Sequence, residues 1–143
     1  MSVIIERRYS DAIHPFHAVL LAGIIPWFLG AALSDAAYFS TYEIQWANFA
    51  SWFIVGGLIF AGITLIFVII DLCRAHRRVQ GIVLYAVILL ATWVAGFFNA
   101  LMHAHDAWAV MPTGLVLSVV TVVLACVATW LGFHSPRAGR ETQ

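Results

Sequence analysis

Four long stretches of this chain carry no charged side chain. They lie between Asp11 and Asp35, Glu43 and Asp71, Arg78 and Asp106, and Asp106 and Arg137, and each holds 23 or more residues. A helix needs about 20 apolar residues to cross the hydrocarbon of a bilayer. The charges therefore punctuate four candidate membrane spans, expected at about residues 15–34, 48–70, 81–101 and 112–133. Pro15 and Pro112 fall at first-turn positions, where the missing N–H costs nothing. Pro26 lies inside the first span and is expected to kink it.

Composition agrees with a lipid environment. Hydrophobic residues make up 63% of the chain and charged residues 10%, against roughly 25% charged in a soluble domain. The 143 residues suit one domain, so residues 1–143 read as a single all-α transmembrane unit, a four-helix bundle. The first span is read as a membrane helix and not as a cleaved signal, because its apolar stretch exceeds an ordinary signal core and Asp11 interrupts the basic lead. A formal net charge of zero, with no basic stripe, argues against a nucleic-acid partner. Cys73 and Cys126 form neither a disulfide framework nor a metal spacing.

The arginines set the expected orientation. Arg7 and Arg8 precede the first span, Arg74, Arg77 and Arg78 separate the second from the third, and Arg137 and Arg140 follow the fourth. All seven fall on one side, which the positive-inside rule makes cytoplasmic. The chain is thus expected to be N-in and C-in, a multi-pass protein of a bacterial inner membrane. Asp35, Glu43, His103, His105 and Asp106 would face the other side. Trp46, Trp52 and Trp108 suit an aromatic belt there, and Trp130 suits the cytoplasmic belt. Small residues four apart, at Gly30 and Ser34, Gly57 and Ala61, Ala91 and Ala95, and Gly114 and Ser118, would let helices approach closely. The same spacing would serve a homo- or hetero-oligomer.

Two groups of residues could carry chemistry. On the arginine side, His14 and His17 bracket the start of the first span, with Asp11, Asp71, His76 and His134 at the same level. Neutral imidazole ligates haem iron and transition metals. His14, His17 and His134 are the candidate cofactor ligands; the cofactor itself stays open, with haem b one candidate beside a metal ion, and a proton-handling cluster is the other functional reading. The alternative is that they cap helix ends at the interface. A single haem cannot join His17 to His103, because about 17 helical residues at about 1.5 Å each separate their levels by roughly 25 Å. A bis-histidine haem would need His14 or His17 with His134 or His76. On the far side, His103, Asp106, Asp35 and Glu43 are the candidate metal ligands, with Asn99 on the same helical face as His103 and Asp106. The alternatives are a docking surface or a short polar loop in which Asp106 caps the next segment. No ionisable residue is expected mid-span, which disfavours pumps and charged-solute channels.

Three segments carry a resemblance. They are His14-Pro15-Phe16-His17; Ser34 to Tyr38 with Tyr42 to Trp52; and Asn99 to Trp108. Together they resemble a bacterial four-helix family known as a predicted membrane protein of unknown function. The resemblance implies association with redox proteins, among them Rieske-type iron–sulfur domains and quinoprotein sugar dehydrogenases. Other branches of that family carry a histidine near the start of the third span, which residues 81–84 lack, so a haem ligand set does not carry over whole. The function expected is a small membrane anchor or electron-transfer accessory subunit of a periplasmic redox enzyme. A cofactor-free scaffold, or a metal or small-solute permease, are the competing readings. A stand-alone enzyme is disfavoured, since no nucleophile–base arrangement is visible. The partners expected are the lipid bilayer and a periplasmic or membrane redox protein.

Overall fold

Among the described residues, four helices are long and apolar enough to cross a membrane. A computed structural model describes residues 14–74 and 80–134. α1 spans Pro15–Thr41, α2 Ile44–Arg74, α3 Gln80–His103, α4 Ala107–Val110 and α5 Thr113–His134. His14 caps α1 by accepting the Phe16 N–H on Nδ1, and Pro15 occupies the first turn. α1 continues as one helix through Pro26. Pro112 sits one step outside α5, where its carbonyl accepts the Val116 N–H. Asp11, His76, Arg137 and Arg140 lie outside the described residues.

A seven-residue period builds the bundle. The buried positions of α2 are Ala47, Ala50, Ile54, Gly57, Ala61, Thr64 and Val68. Those of α3 are Tyr85, Leu89, Thr92, Gly96 and Asn99, and those of α5 include Gly114, Ser118, Thr121, Ala125, Ala128 and Gly132. Steps of three and four residues alternate in each, the 3.5-residue repeat of left-handed helix packing. Small residues dominate the seam, so backbones approach closely and large side chains fill the gaps from across the interface. The Phe28 ring lies against Gly57 and Gly96, where a Cβ would come within 2.7 Å and 3.0 Å of it. Outward positions such as Val19, Leu33, Ile59, Ile66 and Val123 are exposed and apolar, as lipid contact requires. Thr64, Thr92 and Thr121 donate to the carbonyl four residues back in their own helices, so these hydroxyls need no partner across the bundle.

α1 packs chiefly on α2 and α5, and α3 packs chiefly on the same two helices. α1 and α3 therefore sit across the bundle from each other.

Two helices run past the expected spans. α1 continues seven residues beyond Ser34, to Thr41, and Asp35 is fully buried inside it. Residues 44–52, expected as loop and early span, are the first turns of α2. The linker shrinks to Tyr42 and Glu43. Tyr42 closes it by taking the left-handed conformation at φ 54° and returning its N–H to the Tyr38 carbonyl.

Candidate functional site at the arginine-free end

The end of the bundle built from the 35–52 and 99–113 segments contains no arginine or lysine. Inside it, Asp35 of α1 lies one to two turns below the tip. Its Oδ1 meets His103 Nε2 at 2.8 Å, and its Oδ2 accepts the Ser118 hydroxyl at 2.5 Å. Both the Asp35 and His103 side chains are almost wholly buried. Ser118 in turn accepts a hydrogen bond from the Asn99 amide at 2.7 Å. Asn99 Oδ1 is buried without a protein partner among the described residues.

The acceptors fix the proton inventory. His103 Nδ1 faces the Asn99 backbone carbonyl at 2.9 Å. A carbonyl oxygen only accepts, so Nδ1 carries a hydrogen. Nε2 and Oδ1 then share one further proton, as imidazolium with carboxylate or as imidazole with carboxylic acid. The pair is neutral as a whole in both forms, which is what a low-dielectric interior tolerates. Ser118 bonds the carboxylate and not the imidazole, so the trio is not a nucleophile–base arrangement.

Above this network the two turns lock together. The buried Tyr38 side chain donates its hydroxyl to the Ala107 carbonyl at 3.1 Å. Tyr42 stacks on Trp108 with centroids 5.8 Å apart and planes at 15°. Trp108 is 71% exposed. Asp106 caps α4 by accepting the Trp108 N–H on its side chain, at 3.4 Å. The expected packing of the first turn against the His103–Trp108 turn is thus present, carried by helix ends instead of a long loop. Beside the stack, a cleft of about 200 Å³ is lined by Ile44, Ala47, Asn48, Ser51, His105 and Val110, among others.

The four candidate metal ligands do not converge. Asp35 and His103 spend their ligating atoms on each other, Asp106 is an exposed cap, and Glu43 is exposed in the turn. Among the described residues no three His, Cys, Asp or Glu side chains gather as a metal would need. Asp106 was expected on the helical face of Asn99 and His103, but α3 ends at His103 and places it beyond the helix. Ser118, by sequence an ordinary bundle hydroxyl, is the member of the network that spacing does not single out.

The histidines of the other end are also apart. His14 is exposed and engaged in its cap. His17 points into the bundle, with Nε2 3.3 Å from the Tyr85 hydroxyl and its ring against Phe67. His134 is on the outside, stacked at 4.2 Å on the exposed Trp130, with Nδ1 on the Trp130 carbonyl. The three thus occupy three different environments: an exposed cap, the bundle interior and the outer face beside Trp130.

The sequence profile of a family described as predicted membrane protein (DUF2231) matches residues 13–135. The chain belongs to that family. The match runs from the cap of α1 to just past the end of α5, so the whole described bundle is the DUF2231 domain. Neither a curated protein nor a solved structure matches this DUF2231 chain.

Proposed function

We propose that this DUF2231 protein is a small anchor subunit of a bacterial inner membrane, N-in and C-in, whose arginine-free end docks a periplasmic redox enzyme. One observation carries the reading. The exposed Tyr42–Trp108 stack is fixed in place from below, by the Tyr38–Ala107 bond and by Asp35, His103 and Ser118. Rigid aromatic side chains with a polar surround are favoured at protein interfaces, because little side-chain freedom is lost on contact. A belt of tryptophans at a membrane interface needs no such scaffold.

The redox character of the partner rests on the resemblance alone. Anchoring and electron transfer are separable roles. The spread of His14, His17 and His134 over different environments favours anchoring over a haem-carrying role.

The test is retention of a partner after mild detergent extraction. Trp108→Ala and Tyr42→Ala are expected to lose a co-purifying dehydrogenase or iron–sulfur protein, while Trp130→Ala at the opposite end keeps it. Equal retention in all three variants contradicts docking at this end. An absorption spectrum of the same samples separates the roles: a Soret band that disappears in His17→Ala assigns electron transfer to the subunit itself.

A further inference from the structure

The chemistry of the arginine-free end narrows the partner. We infer that it takes a protein segment presenting an arginine next to an apolar side chain. This rests on the docking reading above and adds what is docked.

Charge is the first consideration. Three carboxylates belong to this end. Asp35 is answered internally by His103 and Ser118. Glu43 and Asp106 are exposed and flank the aromatic stack, one adjoining Tyr42 and the other capping Trp108. No lysine or arginine occurs in either segment that builds this end. A partner cation is the complement.

The aromatic geometry selects among cations. Tyr42 stacks on Trp108 with centroids 5.8 Å apart, and Trp108 stays 71% exposed. The two rings lie within 15° of parallel, so they form a slab and not a cage. A slab suits the flat guanidinium, which stacks on a ring face while its N–H fork reaches a carboxylate. A quaternary ammonium is held best by rings set around it. A phosphocholine headgroup would also bring its phosphate against Glu43 and Asp106.

The cleft supplies the apolar half. Ile44, Ala47 and Val110 line it beside the stack, with Asn48, Ser51 and His105 among its polar neighbours. His105 Nδ1 is bonded to the Leu101 carbonyl. The lining includes Ile44 and Ala107, next in the chain to Glu43 and to Trp108, so the segment inferred carries an aliphatic side chain beside its guanidinium.

The experiment is isothermal titration of the full-length protein, in neutral maltoside micelles, with the acetylated and amidated tetrapeptide Leu-Arg-Leu-Arg. Saturable binding that weakens with salt is expected. It should fall about tenfold in Trp108→Ala and in the Glu43→Gln/Asp106→Asn double variant, and stay unchanged in Trp130→Ala. The Asn side chain still caps α4, so the double variant removes charge and not the fold. The peptide Leu-Glu-Leu-Glu should not bind, and soluble phosphocholine should not compete. Equal binding to all variants, or displacement by phosphocholine, overturns the inference. If the arginine peptide fails to bind while Trp108→Ala still strips the redox partner, the end docks a partner of other chemistry and only this inference falls. If neither effect is seen, the docking reading falls with it.

Discussion

Asp35 of α1 and His103 of α3 meet at 2.8 Å although their helices sit across the bundle from each other. The contact is a diagonal tie, and Ser118 extends it to α5. Three of the four spanning helices are thereby fastened at one end by polar bonds. Packing of small residues in the seam holds the helices side by side, but it does not by itself fix where each helix ends. The tie does so, and the aromatic turns rest on it.

Removing one member of the tie leaves the other buried without a partner. Asp35→Ala is expected to destabilise the protein by about 3 kcal/mol, the range for breaking a buried ion pair. Asp35→Asn should cost less, about 1 kcal/mol, because an amide can donate to His103 Nε2 and accept from Ser118. Denaturant titration in detergent, followed by tryptophan fluorescence, gives both values. Equal loss in the two variants would mean that charge, and not hydrogen bonding, is what matters.

Ser118→Ala removes the donor to Asp35 and the acceptor of Asn99 together. A loss of about 1–2 kcal/mol is expected. Combined with Asp35→Asn, the effects should be non-additive, since both variants act on one network. Strict additivity in the double-mutant cycle would show that the two residues are not coupled.

Gly114 gives His103 its room. A Cβ there would stand 2.5 Å from Val110 Cγ1 and 3.1 Å from His103 Cε1. Gly114→Ala should therefore push both side chains and cost about 1–3 kcal/mol, as overpacking does. Gly62→Ala is the control, with only Trp93 close to it, Nε1 at 3.2 Å, and it should cost clearly less. The comparison is made by unfolding in the same detergent.

Much of the architecture is legible from charge spacing, and the misses have physical causes. The starts of α1 and α3 fall at Pro15 and next to Gly81, as expected from the charge-free gaps. The end of α1 does not, because a carboxylate ordinarily marks the edge of the lipid. Asp35 escapes that rule by having two donors inside the bundle. Those donors come from 68 and 83 residues away, and no local pattern announces such a pairing. His103 and Asn99 are readable as one helical face, whereas placing Asp106 requires knowing that α3 stops at His103. Ser118 resembles every other serine or threonine in the spans. What distinguishes it is the helix opposite.

At the other end, Tyr85→Phe deletes the hydroxyl that faces His17 and keeps the ring. A loss of about 1 kcal/mol is expected, with membrane insertion unchanged. A change in insertion, measured by carbonate extraction of membranes, would point instead to a role for this pair in assembly.

The most direct measurement is labelling of a single cysteine at position 109, beside Trp108, in intact cells. Cys73 and Cys126, both free and exposed, are first replaced by serine, and Ala109→Cys is introduced at an exposed position that leaves Trp108 in place. A membrane-impermeant maleimide should label the protein without permeabilisation, because the arginine-free end faces the periplasm in this account. Labelling should be suppressed when the redox partner is co-expressed. Labelling only after the inner membrane is permeabilised would reverse the orientation and contradict a periplasmic docking surface. Labelling that the partner leaves unchanged would place docking elsewhere.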